Sequence, residues 1–442
     1  YHPDTPAVRQ DWAQYYDKVS EADADAGARL RELEAAGLAA DTIVFYFGDH
    51  GSGMPRSKRW PSNSGLHVPM VVYFPEKWRH LAPKEYRPGG ASDRLVSFVD
   101  LAPTVLSLAG IAPPRWMHGV AFAGPHQGTP QSYLFGSRGR MDERHDLVRS
   151  VTDGRYVYLR NYFPHVSQGQ HVGFQFQTPT TREWHERYLR DETNAVQSLF
   201  WQTPKPPEEL YDLETDRDEV RNLVGVPEHR ATLKRLRAAL RDHAASIRDV
   251  CFLPEGELHS RAPGRSPHDL ARGDDFPFER IRATAELASN LDPAALPELE
   301  KRLRDPDSAV RYWAAMGFLM RGRNAVSGRE AVLRTALRDA SGHVRIAAAH
   351  ALAAHGAEAD TLPALAVLRD VIAAESPDVF LCISALNAID SLGAKAAVLR
   401  PEVQQMKAAR LPHERYDGYI ARLTITIADA PQGESGAAAL RP

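Results

Sequence analysis

Asp49 and His50 stand side by side just after an apolar run, Thr42 to Phe47, and are followed by Gly51 and Gly53. A carboxylate oxygen and an imidazole nitrogen adjacent at a turn can reach one divalent ion, and such an ion can hold and polarise an anionic ester. Two donors do not complete a site, since zinc takes four ligands and calcium about six to eight. Arg56, Lys58 and Arg59 follow, cations suited to a sulfate or phosphate oxygen, and His67 precedes the next apolar run, Val68 to Phe74. One acid, two imidazoles and three cations thus fall within 19 residues. Asp49 and His50 are the candidate metal ligands, Lys58 and Arg56 the candidate anion ligands, and His67 with Lys58 the candidates for catalysis.

The elements that must position these residues can be read around them. Thr42 to Phe47 has the β-branched and aromatic composition of a strand buried on both faces, so the Asp-His pair is expected at a strand's carboxyl end, where open α/β sheets bind ligands. Val8 to Ala36 reads as a helix stopped by Gly37. Helix and strand make one step of a doubly wound sheet, with Val68 to Phe74 as a further strand. Asp100 is expected as a helix N-cap with Pro103 in the first turn. Leu147 to Tyr162 alternates apolar and polar residues around Asp153-Gly154, which predicts an antiparallel hairpin. Glu228 to Arg248 would supply a helix on that smaller sheet. Arg138, Arg140, Arg144, His145 and Arg149 read as a basic entrance to the hairpin, attractive to a sulfated sugar.

The chain has 442 residues, 43% hydrophobic and 25% charged, which predicts two or three ordinary globular domains. A formal net charge of −3 gives no basic footprint for nucleic acid. No run approaches the 18 or so apolar residues of a membrane span. The two cysteines, Cys251 and Cys382, are too few and too distant for a disulfide framework.

From Asp249 to Phe278 the composition turns to Pro, Gly, Arg and Asp, and a linker is expected. Beyond it Arg304 to Gly322 aligns without gaps on Arg338 to Gly356, and Glu375 to Gly393 is a fainter third copy. Repeats of this length pairing an Asp-containing turn with an Ala/Leu-rich helix predict an α-solenoid. The spacing Asp-x-x-x-x-x-Arg, Asp305 with Arg311 and Asp339 with Arg345, resembles HEAT repeats, and the resemblance implies that these pairs brace neighbouring repeats.

The segment from Asp41 to Pro75 resembles the second motif region of the sulfatases, where Asp-His-Gly or Asp-Asn-Gly follows a hydrophobic strand. Asp93 to Ile111 resembles the strand and helix that come next in that family, and Glu209 to Leu223, ELYDLETDRDEVRNL, resembles the motif closing its C-terminal subdomain. The finer likeness is to the heparan N-sulfatase-related and bacterial polysaccharide sulfatase branches. The resemblance implies an alkaline phosphatase-like α/β fold, calcium on Asp49 and His50, sulfate on Lys58, hydrolysis of a sulfate ester or N-sulfate on a glycan, and a periplasmic or secreted setting. It divides the chain into a partial sulfatase-like domain (1–135), a C-terminal subdomain (136–248), the linker (249–278), the HEAT-like array (279–400) and a tail (401–442).

One departure is large. Sulfatases draw a formylglycine nucleophile from a Cys/Ser-x-Pro-x-Arg motif, and neither cysteine here stands in one: Cys251 has Pro254 three residues on and Glu255 in place of the Arg. The expectation is therefore a C-terminal portion of a sulfatase-like protein with little or no hydrolysis by itself. Two other readings remain open at this stage: a binding or scaffold protein that uses the repeat array, or a metal-dependent phosphoester hydrolase of the same superfold.

Overall fold

The computed structural model describes residues 1–140, 142–374, 378–408 and 414–429. Helix α1 (Pro6–Ala35) opens the chain. Thr5 caps it by accepting from Val8 N at 3.3 Å, Pro6 supplies a preset φ at its first position, and Gly37 ends it at φ +72°. Strands β1 (Val44–Phe47) and β2 (Met70–Tyr73) follow. They pair antiparallel, Phe47 opposite Met70, so they form a ribbon and not consecutive strands of a parallel sheet. The connection between them folds back on itself as a loop and supplies no crossover helix, which a parallel pair requires. Nor is β1 buried on both faces, because Tyr46 and Phe47 are exposed, as are Val71 and Tyr73 of β2. Helix α2 (Leu101–Leu108) begins after Asp100, with Pro103 in its first turn. Asp100 occupies the N-cap position, but its carboxylate accepts from Ser97 N at 2.8 Å and Val120 N at 2.7 Å, fastening a loop in place of the helix N–H groups.

An antiparallel hairpin forms, its turn one residue beyond the expected Asp153-Gly154. Strands β3 (Leu134–Arg138), β4 (Val148–Thr152), β5 (Tyr156–Asn161) and, after helix α3 (Pro179–Leu189), β6 (Glu208–Asp212) make one antiparallel sheet in sequence order. Asp153 N bonds Tyr156 O, so Gly154 and Arg155 are the two loop residues, with Gly154 at φ +94°. Alternation puts Val151, Tyr158 and Leu210 on one face and Val148, Val157, Leu159 and Tyr211 on the other. Helix α4 (Arg230–Ile247) lays Leu233, Leu236 and Leu240 on the first face. Its arginines stay at the surface, where Arg235 pairs Asp153 and Arg237 pairs Glu208.

The stretch from Asp249 to Phe278 is no free linker. Phe252, Leu253, Leu270, Phe276 and Phe278 are all buried in the main core, spaced too irregularly to show a period. Beyond it lies a two-layer helical stack. Helices α5 (Phe278–Ser289), α6 (Leu296–Arg302), α7 (Ser308–Arg321), α8 (Glu330–Ala336), α9 (Gly342–His355), α10 (Glu358–Ile372), α11 (Val379–Leu392), α12 (Arg400–Ala408) and α13 (Glu414–Asp429) alternate between the layers. The starts of α7, α9 and α11 are 34 and then 37 residues apart, the spacing of the sequence repeat. Arg311 grips the carboxylate of Asp339 in the next repeat at 2.7 and 2.8 Å while bonding the carbonyl of Asp305 in its own, and Arg345 bonds the carbonyl of Asp339. The tail expected at 401–442 is helical as far as it is described, with Tyr419, Ile420, Leu423 and Ile427 of α13 buried; residues 430–442 lie outside the described residues.

One helical stretch, Val379–Met406, is long and apolar enough by length and composition to cross a bilayer, contrary to the sequence reading. Its apolarity serves the stack: Cys382, Ile383, Leu386 and Ile389 are core residues. The stack folds back on the sheet. Arg160 reaches Ser289 Oγ of α5 at 2.6 Å, Trp313 Nε1 of α7 donates to Phe252 O at 2.8 Å, and Arg422 of α13 pairs Glu143 at 3.0 Å.

Candidate functional site

The loop from Gly48 to Pro69 is held by its own backbone. Gly48 N donates to Pro69 O, Gly51 N to Gly65 O and Lys58 N to Ser52 O. Glycine is required at two points, since a Cβ on Gly51 would stand 2.0 Å from Ser64 O and one on Gly65 2.0 Å from Trp60 O. Gly53, by contrast, has open space around it. This crossing brings Asp49 and His50 out at the end of the ribbon, both exposed.

The geometry of the pair fits metal ligation. His50 Nδ1 lies 2.7 Å from Gly51 O; a carbonyl only accepts, so Nδ1 donates there, and in the neutral ring Nε2 is the nitrogen that carries the lone pair. That Nε2 is 3.4 Å from Asp49 Oδ2, so a nitrogen and an oxygen donor share one point in space. The donor set suits a divalent ion, the carboxylate being hard and the imidazole borderline. Among the described residues no cluster of three or more metal-ligating side chains forms, so these two residues would hold the ion from one side only.

The three cations behind the pair have different fates. Lys58 is half-buried with its ammonium 5.3 Å from the centre of the Phe174 ring, and among the described residues it forms no ion pair. Arg59 pairs Asp142. Arg56 is buried: its guanidinium donates to the carbonyls of Asp218 and Glu219 and lies 4.7 Å over the Tyr1 ring. It is a fastener of the loop, and this corrects its assignment as an anion ligand. His67 is exposed, two residues before Pro69 and so at the same end of the ribbon as the Asp-His pair.

Sequence reasoning missed two supports. Glu219, within the ELYDLETDRDEVRNL segment, accepts from Asn63 N at 3.1 Å, and its burial pushes its carboxyl up to about 7. His2 accepts from Trp12 Nε1 at 3.1 Å and so donates from Nε2 to Pro55 O at 3.2 Å; burial lowers this imidazole to about 4. The short side-by-side segment around Glu219 was visible as a motif, but nothing local tied it to Arg56.

The basic entrance is also corrected. Arg140 pairs Glu255, Arg144 pairs Asp390 at 2.7 Å, Arg149 grips Asp249 at 2.6 and 3.1 Å, and Arg138 stands 3.7 Å from the fully buried Asp146. Lys205, fully buried as well, bonds Asp146 at 2.5 Å. These cations are interior ties, Arg144 to the stack, Arg140 and Arg149 to the segment before it and Arg138 and Lys205 within the subdomain, and they offer no surface to a sulfated sugar. Buried charges require such partners, here supplied from distant parts of the chain.

Comparison with known proteins bears on the same region. The sulfatase family model matches residues 1–111, which hold α1, the ribbon and the Asp49–His50–Lys58 loop. Over that quarter of the chain the sequence is similar to the sulfatase family. An ulvan-active sulfatase of Formosa agariphila is 37% identical over 259 residues, covering 58% of this chain and 42% of that protein. Human N-sulphoglucosamine sulphohydrolase is 28% identical over 283 residues, covering 59% and 53%. The endo-4-O-sulfatase of Bacteroides thetaiotaomicron is 29% identical over 152 residues, covering 33% and 25%. The chain thus spans about half the length, or less, of these curated sulfatases.

Proposed function

We propose that this chain carries one side of the active site of a metal-dependent sulfuric ester hydrolase acting on a sulfated glycan. The observation that carries the reading is the juxtaposition of His50 Nε2 and Asp49 Oδ2, 3.4 Å apart, with Lys58 nearby in sequence and free of ion pairs among the described residues. The ulvan-active relative supports a glycan as substrate class.

Asp49 and His50 would hold the divalent ion, calcium by family resemblance. When bound, the ion supplies a fixed positive charge against which a sulfate oxygen is held and charge growing in the transition state is stabilised. Lys58 adds an ammonium, lying 5.3 Å from the centre of the Phe174 ring, that would donate to a second sulfate oxygen. His67, exposed at the same ribbon end, is the residue on this side able to give a proton to a departing sugar oxygen. Neither cysteine serves as nucleophile: Cys382 is buried in the stack with its thiol pushed up to about 12, and Cys251 lies outside any Cys-x-Pro-x-Arg motif. This chain alone is accordingly expected to bind sulfate and to turn over sulfate esters weakly or not at all. The HEAT-like stack is a scaffold that fixes the sheet subdomain, and its outer layer is a surface for a protein partner.

Inorganic sulfate titrated into the chain with calcium present, followed by amide NMR, tests the reading. Saturable shifts confined to residues 49–58, lost in Lys58→Ala, are expected. Shifts elsewhere only, or equal binding by Lys58→Ala, would overturn it.

A further inference from the structure

A cavity of about 170 Å³ lies where the sheet subdomain meets the helical stack, and none of its lining residues belongs to the loop from Gly48 to Pro69. Six imidazoles line it: His145, His165, His171 and His185 from the subdomain, His343 and His350 from α9. Arg144 and Trp201, exposed by only 4% and 2%, line it too.

Four of these side chains carry a buried polar atom without a hydrogen-bond partner among the described residues: Arg144 Nη2, Trp201 Nε1, His165 Nδ1 and His171 Nδ1. Buried polar atoms are nearly always satisfied, so four orphans on one cavity point to an occupant. Two of them, the guanidinium and the indole, can only donate, and the two imidazole nitrogens donate or accept according to tautomer.

The charge of the occupant follows from what is already neutralised. Arg144 is matched by Asp390 and Arg140 by Glu255. Burial keeps the imidazoles uncharged, lowering His145 and His185 to about 4 and His350 to about 3. A net-neutral cavity would leave an anion unpaired. A metal ion is also a poor fit, because among the described residues no three His, Cys, Asp or Glu side chains converge to hold one. The volume resembles the roughly 150 Å³ cavity that takes up benzene, room for one six-membered ring. Phe163, Tyr312 and Trp201 add apolar ring surface to the walls.

The geometry points to a binding site for one uncharged sugar ring, its hydroxyls answering Arg144, Trp201, His165 and His171, separate from the Asp49–His50–Lys58 loop. Neutral imidazoles, each with one donor and one acceptor, match adjacent hydroxyls that do both. The inference does not rest on the sulfatase reading, since it concerns different residues and an uncharged ligand.

The test is NMR of the indole N–H signals of the full chain during titration with glucose, galactose, xylose and rhamnose, with glucuronate and galactose 6-sulfate as charged comparisons. Saturable binding of at least one neutral sugar with a Kd of about 1 to 10 mM, moving the Trp201 indole signal, is expected. Trp201→Phe keeps the ring and deletes the donor, and should weaken binding about fivefold to tenfold. Ala347→Leu, which fills the cavity from α9, should abolish it with the melting temperature of each variant taken as a check on folding. No movement of the Trp201 signal with any neutral sugar, which would leave water as the occupant, overturns the inference. So does binding of the charged sugars alone.

Discussion

Glu219→Gln should reshape the pH dependence of stability by a calculable amount. Glu219 is only 2% exposed, and burial raises its carboxyl from 4.5 to about 7. The folded protein therefore holds this proton more tightly than the unfolded chain, so the site costs nothing below about pH 4.5 and its full penalty above about pH 7. At 1.36 kcal/mol per unit, the difference of about 2.5 units corresponds to about 3 kcal/mol. Glutamine keeps an oxygen to accept from Asn63 N and never ionises. Urea unfolding of both proteins from pH 4.5 to 8 should show equal stability at the acid end and a growing advantage for Glu219→Gln, reaching about 2 to 3 kcal/mol at pH 8. A difference that is flat across this range, or that grows in the opposite direction, would refute the burial argument. The experiment also reads the site, because Glu219 and Arg56 fasten the loop that carries Lys58.

Gly51→Ala should destabilise by about 1 to 3 kcal/mol and lower the melting temperature, because its Cβ meets backbone at 2.0 Å, while Gly53→Ala should change nothing measurable. Arg144→Met removes one partner of a buried pair and should cost about 3 to 5 kcal/mol in urea unfolding, much of it recovered when Asp390→Leu is added. Arg311→Ala should speed amide hydrogen exchange in α7 and α9, since it severs Asp339 from the preceding repeat.

What could be read from the sequence was local. The hairpin around Asp153-Gly154, the helix ending at Gly37 and the 34-residue spacing of the stack are set by neighbours within a few turns, and they formed as expected but for the hairpin turn, which falls one residue later. The direction of β2 against β1 depends on how the intervening loop closes, which turns on Gly51 and Gly65 meeting across 14 residues. Arg56 and Lys58 look equivalent in sequence, yet one is claimed by carbonyls 162 and 163 residues away and the other is not. The same blindness made Arg140, Arg144 and Arg149 look like an open basic surface, since their acids lie 115, 246 and 100 residues downstream. The segment after Asp249 was misread for a related reason: its aromatic residues follow no period, but six of its apolar side chains reach the core.

The central claim is that Asp49 and His50 jointly hold a divalent ion. Manganese, which broadens NMR signals of nearby nuclei, can be titrated into the chain and then displaced with calcium. The His50 ring and Gly51–Gly53 amide signals should broaden first, at about 0.1 to 1 mM ion, recover with calcium, and stay sharp in Asp49→Asn. Broadening that spares His50, or that persists unchanged in Asp49→Asn, would contradict it.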